Sequence, residues 1–84
     1  MIEYQYTVTD PSGLHARPAT LIAACCMNHK SSVHMVNEDK FIDAGDVLAV
    51  MGLYAKHGQK IMFYIDGEDE EETLADLKST LERL

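Results

Sequence analysis

The run Gly13-Leu14-His15-Ala16-Arg17-Pro18-Ala19 sets an imidazole and a guanidinium close together where a helix has to begin. Pro18 has no backbone N–H and a φ held near the helical value, so it sits without loss only in a first helical turn. The helix therefore starts at about His15 or Ala16, with His15 at or next to the N-cap. The amides of Ala16 and Arg17 then lack intrahelical acceptors and point outward along the positive end of the helix dipole. An anion is attracted there, a phosphate above all. Gly13 frees the preceding loop, and Arg17 offers a planar fork of donors matched to phosphate oxygens. Near pH 7 enough imidazole is neutral to attack a phosphoryl donor, and the phosphohistidine formed would be held by those amides and by Arg17. The plain alternative is a histidine that caps a helix beside a solvated arginine.

The elements that must position this loop are legible in the spacing of apolar residues. Ile2, Tyr4, Tyr6 and Val8 alternate with polar residues, the pattern of a strand with one buried face, and Asp10-Pro11-Ser12-Gly13 breaks it. Ala19, Ile22, Ala23 and Cys26 recur at helical spacing from Ala16 to about Asn28. Ser32 to Asn37 and Lys40 to Ile42 are short strands joined by a polar turn at Asn37-Glu38-Asp39-Lys40. Asp46 can cap a second helix running to about Ala55, with Val47, Val50, Met51 and Tyr54 in phase and Gly58 helping to end it. Lys60 to Asp66 alternates Ile61, Phe63 and Ile65 with Met62 and Tyr64, as a central strand would. Leu74, Leu77, Leu81 and Leu84 stripe a last helix from Glu70 to Leu84. The order β-α-β-β-α-β-α predicts an α+β open-faced sandwich, an antiparallel sheet covered on one face by helices.

Composition narrows the partners. The chain has 84 residues, 46% hydrophobic and 25% charged, which suits one globular domain over 1–84. Fourteen acids against seven basic residues leave a net charge of −7, which disfavours nucleic acid or an anionic membrane as partner. No run is long enough to span a bilayer, and Met1-Ile2-Glu3-Tyr4 lacks signal-peptide character, so a cytoplasmic location is expected. Cys25 and Cys26, adjacent on a helix, would make a strained bridge and read as buried or half-buried reduced thiols. Seven acids between Asp66 and Asp76 suit the start of the last helix and read as a solvated, dipole-favoured end. His29, His34 and His57 read as structural. No C-x-x-C or H-x-x-x-H spacing is present, so no metal and no cofactor are expected.

The His15-Ala16-Arg17-Pro18-Ala19-Thr20-Leu21 run resembles the active-site loop of HPr, the histidine-containing phosphocarrier of the bacterial phosphoenolpyruvate:sugar phosphotransferase system. Asp46-Val47-Leu48-Ala49-Val50-Met51-Gly52-Leu53 and Asp66-Gly67-Glu68-Asp69-Glu70-Glu71-Glu72-Thr73-Leu74 are similar in register, so the resemblance runs nearly end to end. It implies a four-stranded sheet under three helices and a monomer. His15 would accept a phosphoryl group from phosphorylated enzyme I and pass it to an enzyme IIA domain of a sugar permease, making the chain a carrier and not an independent catalyst. Arg17 would clamp the phosphate with the backbone of Ala16 and Arg17. Ala16, Thr20, Val47, Leu48 and Met51 would form the docking surface, and since Val47 and Leu48 are neighbours on a helix, at least one of them should be exposed.

Two departures from the family pattern matter. Asp46 stands where many members from Gram-positive bacteria carry a serine phosphorylated by a regulatory kinase, and it cannot be phosphorylated there. It is read either as an N-cap or as a fixed charge that weakens enzyme I docking. Ala24, Met27, Gly45 and Ala49 are uncharged where family members usually carry a ring of lysines, leaving Arg17 as the clear base near His15. That depletion raises a rival function, a regulatory binding module acting on a transcription factor or an enzyme with little phosphotransfer. A purely structural domain is a third reading.

Overall fold

The computed structural model describes residues 1–84. Its elements are β1 (Ile2–Thr7), α1 (Ala16–Met27), β2 (Ser32–Asn37), β3 (Lys40–Asp43), α2 (Val47–Gly52), β4 (Lys60–Asp66) and α3 (Glu70–Glu82). The strands form one antiparallel sheet in the order β1-β4-β2-β3, which puts β4 in the interior, as its two apolar faces require. The register sets Tyr6 opposite Ile61, and Phe63 opposite both Tyr4 and Met35. Every second residue thus turns inward: Tyr6, Val33, Met35, Ile61, Phe63 and Ile65 are buried. Ile22 and Ala19 of α1, Val50 of α2, and Leu77 and Leu81 of α3 complete this core from the helical side. The α+β open-faced sandwich read from the chain is the architecture observed.

The other face of the sheet carries Met62, Tyr64, His34 and Val36, all half-buried, and Phe41, which is exposed. His34 stacks on Phe41 at 4.8 Å between ring centroids. His57 lies beyond α2, with Nδ1 3.2 Å from the carbonyl of Thr9. Both cysteines are buried free thiols, and burial pushes the Cys26 thiol up to about 12.

α2 is shorter than its periodicity predicts. It ends at Gly52 instead of about Ala55, and Tyr54 takes a positive φ of 51°, no longer compatible with a helix. The reason is tertiary. Lys40 Nζ donates to the Gly52 carbonyl at 2.9 Å, and Asn37 Nδ2 donates to the Leu53 carbonyl at 3.3 Å. The β2–β3 hairpin thus takes the acceptors that a longer helix would have used. Lys40 also sits 4.7 Å from the centroid of the Tyr54 ring. Gly58, with φ 86°, shapes the turn into β4 and does not cap α2. At the other end, Asp46 Oδ1 accepts the Ala49 N–H at 3.2 Å, so Asp46 is the N-cap of α2.

The acidic stretch is not uniformly solvated, contrary to its reading in the chain. Asp69 reaches across to the α1–β2 connection, where it accepts the amides of Lys30 at 3.0 Å and Ser31 at 2.8 Å and the Ser31 hydroxyl. The Thr73 hydroxyl donates to it from α3, and His29 Nδ1 lies 3.5 Å away. The Ser31 hydroxyl and these amides hold the Asp69 carboxyl well below the usual carboxylate range. A depressed folded value contributes stability above the unfolded value of about 4, which is lost as pH falls through and below it. Asp69→Ala is expected to lower the thermal midpoint by several degrees at neutral pH and to flatten the acid side of the stability profile. Urea midpoints of both proteins between neutrality and pH 3 check this; parallel acid limbs would contradict it.

Candidate functional site

His15 is the N-cap of α1, with φ −81° and ψ −167°, and its side chain is 44% exposed. The first bond of the helical ladder runs from the Ala19 N–H to the His15 carbonyl at 3.0 Å. The amides of Ala16 and Arg17 precede that bond, and Pro18 has none to offer. Pro18 and Ala19 are buried, while Ala16, Arg17 and Thr20 are exposed on the side of His15. Thr20 is engaged locally, its hydroxyl donating to the Ala16 carbonyl at 2.7 Å.

The loop before α1 is held from outside. Gly13 is buried at φ 75°, its N–H donates to the Asp10 carbonyl at 2.9 Å, and the Leu14 N–H donates to the Ala55 carbonyl at 2.9 Å. A Cβ on Gly13 would lie 2.3 Å from that same Ala55 oxygen, so glycine is needed here for both its backbone angle and its size.

Asp10 orients the imidazole. Its Oδ1 accepts the Ser12 N–H at 2.8 Å, and its Oδ2 lies 3.3 Å from His15 Nε2. The Ser12 amide, with His15 and Arg17 adding in the same sense, lowers the Asp10 carboxyl below its ordinary value. An ionised carboxylate only accepts hydrogen bonds, so Nε2 carries the proton and the lone pair of the neutral ring lies on Nδ1. Arg17 and Asp10 share the lining of one small recess with Pro18, Leu21, Arg83 and Leu84. Read in the chain, Asp10 was only a turn former; its position five residues before His15 acquires meaning once the turn folds back.

A shallow depression of about 300 Å³ adjoins His15, lined by Ser12, Leu14, Met51, Tyr54, Ala55 and Lys56. Of the two neighbours on α2, at least one of which had to be exposed, it is Leu48, at 79%, while Val47 and Met51 are half-buried against the core. Tyr54, read as part of a helical stripe, instead stands 75% exposed at this depression. Lys56 lines it too, so Arg17 is not the only base near His15.

A family model described as the PTS HPr component phosphorylation site matches residues 2–83. The chain belongs to the HPr family. It is 38% identical over 77 residues to the phosphocarrier protein HPr of Lysinibacillus sphaericus, covering 92% of this chain and 88% of the relative. It is 34% identical over 84 residues to HPr of Mycoplasma genitalium, covering 99% and 96% of the two chains. Among solved structures, a mycoplasma histidine-containing phosphocarrier protein superposes with a TM-score of 0.92 at 28% identity, over 95% of this chain and 91% of that one. HPr from Bacillus anthracis gives 0.85 at 25% identity over 94% of each. The chain is thus an HPr phosphocarrier component of the phosphotransferase system, and no helix in it is long and apolar enough to cross a membrane.

Proposed function

We propose that His15 is the phosphoryl acceptor, taking the group from phosphorylated enzyme I and passing it to an enzyme IIA domain of a sugar permease. The observation that carries this reading is an exposed imidazole at the N-cap of α1, paired through Nε2 to Asp10 and standing next to two unbonded helix amides. Nδ1 attacks phosphorus as the bond from phosphorus to the donor breaks, and Nε2–H keeps its carboxylate partner. Charge on the transferred oxygens is met by the Ala16 and Arg17 amides, the dipole of α1 and the Arg17 guanidinium. Return of the group to an acceptor reverses these steps. The domain works as a single monomeric unit in the cytoplasm, without cofactor.

Docking is assigned to the exposed side of Ala16 and Thr20 with Val47, Leu48 and Met51 of α2. Leu48 is the most exposed of the three α2 residues and makes the sharpest probe. Leu48→Asp is expected to leave stability within about 0.5 kcal/mol and to slow phosphorylation by enzyme I at least about tenfold. Rates measured against enzyme I concentration check it; an unchanged rate removes Leu48 from the interface. The assignment as a whole is tested by incubation with phosphoenolpyruvate and enzyme I, followed by intact mass and acid treatment. An acid-labile gain of one phosphoryl group on His15, discharged by enzyme IIA, supports it; a protein that stays unmodified overturns it.

A further inference from the structure

At the end of α1 remote from His15, side chains from the last turn of α1, the connection that follows it and α3 converge. Cys25 Sγ, one nitrogen of His29 and a carboxylate oxygen of Asp76 lie within 4.8 Å of one another. Cys25 lies in the last turn of α1 and His29 just past its C-cap Asn28, and Asp76 faces them from α3. His29 Nε2 is 2.8 Å from Asp76 Oδ2, while its Nδ1 is 3.5 Å from Asp69 Oδ2. We propose that Cys25, His29 and Asp76 form a zinc-binding site, with Asp69 orienting the imidazole from behind.

The donor set argues for the metal. One thiolate, one imidazole nitrogen and one carboxylate oxygen suit a borderline-soft divalent ion such as Zn2+, and three protein ligands leave a fourth tetrahedral position for water. Asp69 Oδ2 faces Nδ1 at 3.5 Å, placed to draw the ring proton to that nitrogen when Nε2 ligates, as carboxylates commonly do behind a zinc-binding histidine. Cys25 is buried and His29 is 14% exposed, so two ligands are already held by packing, and the more exposed Asp76 gives access from solvent. Binding releases the Cys25 thiol proton and any proton on Nε2, while the proton on Nδ1 stays on the ring, facing Asp69. Affinity therefore falls as pH falls. The sequence has neither C-x-x-C nor H-x-x-x-H spacing; the mixed pair Cys25-x-x-x-His29 gains its third ligand only with α3 in place.

The site lies roughly 20 Å along α1 from His15, so it can be tested apart from phosphotransfer. The reduced full-length protein, stripped with chelator, is titrated with Co2+ and then with Zn2+. The expected result is a sulfur-to-cobalt charge-transfer band that saturates at one equivalent and is abolished by Zn2+. The band persists in Cys26→Ser and His15→Ala, disappears in Cys25→Ser and His29→Gln, and needs at least about tenfold more Co2+ in Asp76→Asn. Excess Zn2+ is expected to raise the thermal midpoint of the parent by roughly 10 °C and not that of His29→Gln, a variant whose folding circular dichroism confirms. Absence of the band, its survival in Cys25→Ser or His29→Gln, or indifference to Asp76→Asn overturns the proposal.

Discussion

His15→Ala is expected to reduce phosphoryl acceptance from enzyme I by more than roughly 10³-fold while leaving the fold intact. The loss is large because a nucleophile is removed, not merely a binding contact, and no second imidazole can take over. His29 is paired with Asp76, His34 is stacked on Phe41, and His57 is set against the Thr9 carbonyl. His15 itself is nearly half exposed and makes no side-chain cap bond, so its truncation opens no cavity. Arg17→Lys separates charge from geometry: it keeps a cation but loses the planar fork, and an intermediate rate is expected. Intact mass and quench kinetics with enzyme I and phosphoenolpyruvate read both variants. Label retained on His15→Ala at the parent rate would move the acceptor elsewhere.

Gly13→Ala is the second large effect, and it acts on stability and activity together. A side chain at φ 75° costs about 1–2 kcal/mol, and the Cβ would collide with the Ala55 oxygen that holds the Leu14 N–H. Relief requires the loop to part from Ala55, which loses a buried backbone bond and adds about 1 kcal/mol or more. A total of about 3 kcal/mol is expected from urea unfolding. Because the same loop places Asp10 against His15 Nε2, its displacement should also slow phosphorylation at least about tenfold. Gly52→Ala is the contrast: nothing lies within 4 Å of its added Cβ, it sits in α2, and it should gain up to about 1 kcal/mol. Equal effects at the two glycines would refute the steric account.

What could be read from the chain alone was whatever depends on near neighbours. Pro18 marks the first turn of α1, so the free amides beside His15 follow from covalent structure. The alternation in β4 and the leucine stripe of α3 placed both against the core before any contact was known. Asp46 could be assigned as a cap because its hydrogen bond closes over three residues. The remainder depends on residues far apart in sequence. The length of α2 was decided by Lys40 and Asn37, the tautomer of His15 by a loop folding back, and the need for Gly13 by the approach of Ala55. Cys25, His29 and Asp76 meet only because α1 and α3 pack side by side over one face of the sheet. Local periodicity determines which face an element buries; which foreign side chain reaches it is a property of the packed whole.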